Sequence, residues 1–160
     1  MTQKPYQLPR GQELKYLYKG ISIKNGTKAL AGEGITSMSV RNGKHTIESA
    51  NRLNQSQLEK DLISQVSEFG QRETVISSWT HDPHNARTFA RIESESIIIK
   101  VNVKELEKAG IKYIPVDYSK FGRISRGYSG EQEVGVVGGV PSKLLETISP
   151  SMLPNFGSNF

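Results

Sequence analysis

The chain has 160 residues, a formal net charge of +5 and no cysteine. This length suits one domain, the absence of cysteine excludes a disulfide framework or a thiolate zinc site, and no apolar run approaches the length of a bilayer span. The basic balance, with a pI near 9.4, favours acidic partners such as nucleic acid, an acidic protein or a phosphate-bearing ligand.

The first third of the chain predicts a strand and a hairpin after a loose N-terminal arm over 1–12. Alternating bulky and polar residues over 14–23 predict the strand. Asn25-Gly26 predicts a turn at its end, followed by a loop or a short helix. In 37-SMSVRNGKHTI-47 the Asn42-Gly43 pair predicts a β-hairpin, because Asn-Gly tolerates the positive φ values of a type I′ turn.

A helical pattern follows over 49–69. Its apolar side chains recur every three or four residues, which places them on one stripe. The stripe consists of Leu58, Leu62, Val66 and Phe69. Gly70 stands where a helix C-cap is expected.

The remainder of the chain predicts short strands and helices. Asp82-Pro83 is typical of a helix start, with an acceptor side chain at the N-cap and proline at the first helical position. Strands are predicted over 73–78, 97–103, 111–116 and 131–137, and helices over 83–91 and 104–109. The predicted fold class is α+β, as one domain over 13–148 followed by a loose tail over 149–160.

Two glutamates open the last predicted strand. Glu131 and Glu133 are two residues apart, so both side chains are expected on one face of the strand. Neighbouring carboxylates repel each other, which a fold tolerates more readily at a functional site than in a scaffold. The alternative is a pair of solvated side chains on an edge strand.

A second polar group lies in 78-SWTHDPHNARTFA-90. The hydroxyls of Ser78 and Thr80 can each donate and accept a hydrogen bond, which suits them to hold a carboxylate and a ligand. The alternative is that Thr80 and Asp82 only cap the following helix. Histidines at a helix start rarely converge on one ion, so no metal site is expected.

A cation ends the first predicted strand, in 16-YLYKGIS-22. Lys19 stands between an aromatic residue and Gly20, where its charge could bind a phosphate. The alternative is an ordinary exposed lysine on a strand.

In this order, the three groups resemble the motifs of the ADP-ribosyltransferase family. The order is aromatic–cation–Gly, then Ser-x-Thr before an Asp-Pro helix start, then Glu-x-Glu-Val. The resemblance is to the arginine–serine–glutamate branch, which includes toxins of the cholera and clostridial binary types and the C-terminal tips of polymorphic toxins. It spans about Tyr16 to Pro141.

The resemblance assigns a role to each matching residue. Glu133 matches the catalytic glutamate, Glu131 the residue that orients the acceptor, and Ser78 the first serine of the central motif. The implied NAD-binding residues are Lys19, Gly20, Ser78, Thr80 and Phe89. Trp79 replaces a small residue, and its side chain is expected to point away from the site.

Lysine at position 19 departs from the family, which has arginine there. Lysine keeps the charge but lacks the planar fork that grips a phosphate in two places. Either Lys19 holds the phosphate less rigidly, or Arg10 or Arg41 reaches it.

The implied fold is a pair of small, mostly antiparallel sheets around an NAD cleft with flanking helices. The implied activity is transfer of ADP-ribose from NAD, without a metal, to a macromolecule of a target cell. Glu-x-Glu favours an arginine of a protein as acceptor. The loop over 117–130 would recognise that target through Tyr118, Phe121 and Tyr128.

The resemblance also implies a setting and leaves alternatives. The N-terminus lacks the apolar segment of a signal peptide, so we expect the payload of a larger secreted toxin that acts in the target-cell cytoplasm. A cognate immunity protein that blocks the cleft is an expected partner; a membrane is not. The alternatives are an NAD glycohydrolase, a nucleic-acid-targeting toxin that ADP-ribosylates RNA or DNA or cleaves RNA, and a non-catalytic binding module.

Overall fold

The structure, a computed structural model, describes residues 14–66, 73–83, 86, 96–116 and 133–148. These residues form an α+β domain with a mostly antiparallel sheet and a few helices, which confirms the predicted fold class. None of the helices in these ranges is long and apolar enough to cross a membrane. The predicted arm over 1–12, the loop over 117–130 and the tail over 149–160 lie outside the described residues.

Six of the strands form one sheet in the order β5-β6-β3-β1-β4-β8, and all neighbouring strands in it are antiparallel. They are β1 (Tyr16–Ser22), β3 (Ile76–Thr80), β4 (Ser96–Asn102), β5 (Tyr113–Pro115), β6 (Glu133–Val137) and β8 (Leu145–Ile148). A second sheet pairs β2 (Ile35–Thr36) with β7 (Gly139–Val140). The family resemblance implied a pair of small sheets, and the described strands form one sheet of six strands and one of two.

The helices are short. They are α1 (Ile23–Lys28), a π-helical turn (Ala29–Glu33), α2 (Met38–Arg41), α3 (Ile47–Asn51), α4 (Gln55–Val66), α5 (Val103–Lys108) and a 3₁₀-helical turn (Ser142–Leu144). Helix α4 is the longest of them, and Leu58 and Leu62 on its predicted apolar stripe are buried. The side chains of Val66 and Phe69 lie outside the described residues.

The core lies on both faces of the large sheet. On one face, Leu17, Trp79, Ile99 and Val134 belong to a single buried cluster. On the other face, α4 packs its leucines against Ile76 and Val137. Helix α4 is therefore held directly over β3 and β6.

The predicted hairpin at Asn42-Gly43 is wrong, because this stretch is helical. The Ser37 hydroxyl accepts a hydrogen bond from the Val40 N–H and caps the start of α2. The Asn42 N–H donates to the Met38 carbonyl, and Gly43 has a φ of +79°. Asn-Gly thus ends a helix here, where a residue of positive φ is also required.

The turn predicted at Asn25-Gly26 is also wrong. Both residues lie inside α1, whose N-cap is Ser22, with its hydroxyl accepting from the Asn25 N–H. Gly26 is buried, and a Cβ there would collide with Ile97 of β4. The glycine therefore serves close packing of α1 on the sheet.

The single helix predicted over 49–69 is two helices. Residues 52–54 separate α3 from α4. Asn54 and Gln57 cap the second helix reciprocally, since each side-chain oxygen accepts from the other residue's backbone N–H at 2.9 and 3.2 Å. A polar cap in the middle of a helical pattern thus starts a new helix.

Strands β1 and β3 meet at only one register pair, Tyr18 with Thr80. By contrast, β1 is paired with β4 along its whole length, from Tyr16 to Ser22. Beyond Tyr18 and Thr80, the ladder between β1 and β3 does not continue. The sheet therefore has a gap in its middle, and the candidate site lies at this gap.

Candidate functional site

Ser78 contacts both of the other predicted motifs. Its hydroxyl donates to Oε2 of Glu133 at 2.9 Å. Its backbone carbonyl accepts from the Lys19 ammonium at 2.7 Å. These partners are 55 and 59 residues away in the sequence, so the fold assembles the site from three distant strands.

The pairing of β3 with β6 explains the contact between Ser78 and Glu133. Thr80 lies opposite Glu133 and Ser78 lies opposite Gly135, so Ser78 and Glu133 are diagonal neighbours on one face. Gly135 presents no side chain on that face. The Ser78 hydroxyl can therefore reach along the sheet to the carboxylate.

Helix α4 supplies a further polar side chain to this face. Gln65 Nε2 donates to the Ser78 hydroxyl oxygen at 3.2 Å. Gln65 Oε1 accepts from the Thr74 hydroxyl at 2.8 Å. Ser78 is thus hydrogen-bonded to the helix above the sheet as well as to both neighbouring strands.

Burial lowers the pKa of Lys19 to about 8, since the charged ammonium loses water. The nearby Glu133 carboxylate opposes this shift and raises the pKa, whereas Arg41 lowers it further. The Lys19 ammonium therefore interacts electrostatically with a carboxylate and with a second cation.

A cleft of about 850 Å³ opens beside these residues. Its walls come from β1, α1, β2, α2, α4 and β3, and Lys19, Gln65 and Ser78 line it. Two more cations, Lys28 and Arg41, and one acid, Glu33, also line it. The lining thus carries excess positive charge, which favours an anionic ligand.

Arg41 is anchored in this wall. Its guanidinium donates to the Thr36 carbonyl at 3.1 Å. A guanidinium has five N–H donors in a fixed fork, and this contact uses one of them. Arg41 can therefore keep its position and still offer donors to an anion.

The corner that follows Ser78 is held by local hydrogen bonds and by packing against the core. Trp79 is buried in the core and donates to the Ser77 hydroxyl at 3.1 Å, so its side chain lies on the face away from Ser78. The Thr80 hydroxyl accepts from the Asp82 N–H at 3.1 Å. The Ala86 N–H donates to the Asp82 carbonyl, as in a helix that starts at Pro83. The Ala86 side chain packs against Ile98.

The structure brings together Lys19, Ser78 and Glu133 among the predicted site residues. Thr80 is opposite Glu133 in the sheet. Gly20 pairs with Ile98 in β4. Gly20, Thr80 and Glu133 are not among the residues that line the cleft, but Glu133 is hydrogen-bonded to Ser78, which does line it. The other predicted site residues, Glu131, Phe89, Tyr118, Phe121 and Tyr128, lie outside the described residues, as does Arg10.

Sequence reasoning missed Gln65, Lys28 and Glu33. A signal for Gln65 was present, because it falls seven residues after Leu58 and so on the buried side of α4. A polar residue on a buried stripe is more informative than an apolar one. No comparable indication was present for Lys28 and Glu33, because the segment after Gly26 was predicted only as a loop or a short helix.

Comparison with known proteins adds no assignment to this geometry. No family model and no curated protein matches the chain. Across the described ranges, no group of three or more acidic or histidine side chains is arranged to hold a metal ion. The described residues offer a ligand an ammonium, a guanidinium and a hydroxyl in the cleft, with the Glu133 carboxylate hydrogen-bonded to that hydroxyl.

Proposed function

We propose that this protein is a mono-ADP-ribosyltransferase toxin domain, which transfers ADP-ribose from NAD to a macromolecule of a target cell. The observation that carries the proposal is the double contact of Ser78, with Glu133 through its hydroxyl and with Lys19 through its carbonyl. The order of the sequence motifs independently assigns these residues to one site. That three motifs far apart in the chain contact one another on neighbouring strands supports a common role for them.

The cleft suits NAD in size and charge. Its volume of about 850 Å³ falls in the range of small-molecule sites, roughly 300–1,000 Å³. The pyrophosphate of NAD is anionic, and Lys19, Lys28 and Arg41 line the cleft. Charge-assisted hydrogen bonds from such groups are about twice as strong as neutral ones.

Arg41 is the better candidate for the forked grip on phosphate that Lys19 cannot provide. The Lys19 ammonium already donates to the Ser78 carbonyl. Arg41 belongs to α2 and lines the same cleft from another wall. We therefore assign Lys19 to holding the β3 backbone while contributing charge, and Arg41 to binding phosphate in two places.

The reaction breaks the bond between nicotinamide nitrogen and ribose C1′. The bonding electron pair leaves with nicotinamide, which becomes neutral, and positive charge develops on the sugar. The Glu133 carboxylate, held by Ser78, stabilises that charge by hydrogen-bonding the ribose 2′-hydroxyl. A carboxylate already in place stabilises the transition state more than the ground state.

The acceptor then bonds to C1′ and gives up a proton. An arginine of a protein is the acceptor we propose, with Glu131 orienting its guanidinium and taking up the proton. Glu131→Gln should then abolish transfer to arginine and leave much of the hydrolysis of NAD by water. A cognate immunity protein that blocks the cleft, and delivery into the target-cell cytoplasm as part of a larger toxin, complete the proposal.

The experiment incubates the protein with labelled NAD and a bacterial lysate, and measures nicotinamide release and the fate of the label. Label on protein supports the proposal. Label on nucleic acid, or only on free ADP-ribose, would favour a nucleic-acid-directed toxin or an NAD glycohydrolase. The absence of nicotinamide release would contradict transfer to protein, transfer to nucleic acid and hydrolysis of NAD, and would leave cleavage of RNA as the enzymatic alternative.

Variants tie the activity to the site. Glu133→Gln should lower nicotinamide release by about 10²–10³-fold, the usual effect of losing an electrostatic contact of this kind. Ser78→Ala should also lower the rate of nicotinamide release, with little change in melting temperature. The matched control is Glu146→Gln, which removes the same charge from an exposed position in β8, and it should leave the rate unchanged.

A further inference from the structure

A chain of side-chain hydrogen bonds leads from the start of β3, through α4, to Glu133. Thr74 donates to Gln65 Oε1 at 2.8 Å, Gln65 Nε2 donates to the Ser78 hydroxyl at 3.2 Å, and Ser78 donates to Glu133 at 2.9 Å. Thr74 is buried, and Gln65 and Ser78 are partly buried. The chain is thus a partly desolvated polar network, in which the direction of each hydrogen bond matters.

The hydrogen bonds of Thr74 determine which atom of the Gln65 amide donates and which accepts. The Thr74 oxygen accepts from the Ile76 N–H at 3.2 Å, and its one proton has a close acceptor in the Gln65 carbonyl oxygen. The longer contact of Thr74 with the Ile76 carbonyl, at 3.5 Å, competes weakly. Because Gln65 Oε1 is used as an acceptor, its Nε2 is the atom that faces Ser78.

The orientation of the Gln65 amide in turn determines that Ser78 donates to the Glu133 carboxylate. A serine hydroxyl has only one proton to donate. Since the Gln65 amide donates to Ser78, that proton is directed to Glu133, and an ionised carboxylate can only accept. If the amide were reversed, Ser78 would donate to Gln65 and the carboxylate would lose this hydrogen bond.

We infer that Gln65 is a positioning residue, which orients the Ser78 hydroxyl so that it donates to Glu133 and holds the carboxylate for reaction. The inference rests on the proposed function, because it takes Glu133 to be the residue that acts on NAD. It extends that proposal to a residue of α4, an element that none of the three sequence motifs includes.

The packing of α4 supports this role. A Cβ at Gly135 would come within 2.9 Å of both Leu62 Cδ1 and Ile76 Cγ2. The glycine therefore lets the helix approach β6 closely, and it lies directly opposite Ser78. Gln65 is three residues after Leu62 and so follows on the same side of the helix.

The test compares steady-state nicotinamide release by the wild type, Gln65→Glu and Gln65→Met. Glutamate at this position would accept from both Thr74 and Ser78, and methionine cannot donate at all. Both changes should lower kcat by about tenfold or more, in the range of one hydrogen bond to a charged group. The KM for NAD should change by less than about twofold, since Gln65 acts through Ser78.

The same chain can be altered from its other end. Thr74→Val removes the hydroxyl that fixes the amide and should lower kcat in the same way, whereas Thr74→Ser keeps a hydroxyl and should retain most of it. A residue with only a structural role would not give this pattern in kcat among folded variants. If Gln65→Glu fails to fold by circular dichroism, Gln65→Met and the Thr74 pair still decide the question.

The matched controls are Gln55→Glu and Gln55→Met, which make the same changes at an exposed glutamine of α4 and should leave kcat unchanged. Wild-type kcat in the folded Gln65 variants would overturn the inference and leave the proposed function intact. A raised KM with unchanged kcat would overturn it too, because Gln65 would then contact NAD directly. If the wild type releases no nicotinamide, the proposed function is wrong, and the positioning role falls with it.

Discussion

Ser78 serves two partners through two different groups. Its carbonyl fixes the Lys19 ammonium at the gap between β1 and β3, and its hydroxyl reaches Glu133 along the face of the sheet. A substitution that removes the hydroxyl leaves the carbonyl in place. The contributions of Ser78 to charge placement and to carboxylate orientation can therefore be separated by mutation.

Lys19 gives a prediction about pH that does not depend on the proposed function. Its pKa is about 8 in the folded chain and ordinarily 10.5, with burial as the main cause. Between these values the unfolded chain binds more protons than the folded chain, so this group makes stability rise with pH. The cost of the buried charge is present below about pH 8 and disappears as pH rises towards 10.5.

The measurement is urea denaturation of the wild type and Lys19→Met at pH 7, 8, 9 and 10. The free energy of unfolding of the wild type, relative to the variant, should increase over this range. Glu133 and Arg41, the charged groups that shift Lys19, are the same in both proteins. A constant difference would show that Lys19 keeps an ordinary pKa, and a difference that falls with pH would show that folding raises its pKa.

At the residue scale, motif order predicted three residues that the fold brings together, whereas packing of a helix brings a fourth to them. Lys19, Ser78 and Glu133 were predicted because charged and hydroxyl-bearing side chains stood in a recognisable order. Gln65 was not predicted, since its role depends on how closely α4 approaches the sheet. That distance depends on Gly135, which is far from Gln65 in the sequence.

At the scale of elements, strands were predicted better than turns. The alternation over 14–23 and the apolar run over 97–103 correspond to β1 and β4. The two Asn-Gly pairs were assigned to turns because the pair itself favours positive φ. In the folded chain, Ser22 and Ser37 provide N-caps just upstream of them, so that helices form instead.

The short strands β2, β7 and β8 were not predicted, and β2 shows why. A strand of two residues has no alternation from which to recognise it. It forms because Gly139 lets the two backbones approach, where a Cβ would come within 2.6 Å of Thr36 Cα. Ile35 and Thr36 also line the cleft, so this small sheet helps to shape the site.

Gly139→Ala should therefore destabilise the fold far more than a positive φ alone would. Gly139 has a φ of +128°, and a Cβ added there would collide with backbone atoms of β2. Gly110 has a φ of +74°, and a Cβ added there would have no atom within 4 Å. Gly110→Ala should cost about 1–2 kcal/mol from its backbone conformation. Gly139→Ala should cost on the order of 4 kcal/mol, because the β2–β7 pair must separate.

Urea denaturation of the two alanine variants measures the difference. Any folded Gly139→Ala protein should also bind NAD more weakly, since the wall formed by Ile35 and Thr36 moves. Equal free energies of unfolding for the two variants would mean that the close approach of β2 and β7 contributes little to stability.

At the scale of the whole molecule, two groups of strands meet at a narrow connection. One group is β1, β4 and β8, the other is β3, β5 and β6, and their ladder has the single pair Tyr18 with Thr80. The cleft is lined by residues of both β1 and β3. A ligand in it would thus add contacts to the weakest part of the sheet.

NAD should therefore stabilise the whole domain against unfolding. The protein to use is Glu133→Gln, in which cleavage of NAD is slow under the proposed function. Ligand binding to the folded state alone adds about 2.7 kcal/mol when NAD is at 100 times its Kd. Adding Arg41→Ala should weaken NAD binding by about 1–3 kcal/mol, the cost of losing a charge-assisted contact.

The control for Arg41 is Arg52→Ala in the same Glu133→Gln protein, because Arg52 is an exposed arginine at the end of α3 and does not line the cleft. It removes the same charge from the molecule, so its NAD affinity should match that of the parent.

Melting temperature as a function of NAD concentration measures the stabilisation by NAD, and calorimetry measures the Kd. Equal losses in the two arginine variants would assign the effect to net charge, which acts on any anion. A loss confined to Arg41→Ala would support a phosphate site in the cleft, and no stabilisation of the parent by NAD would contradict NAD binding by this domain.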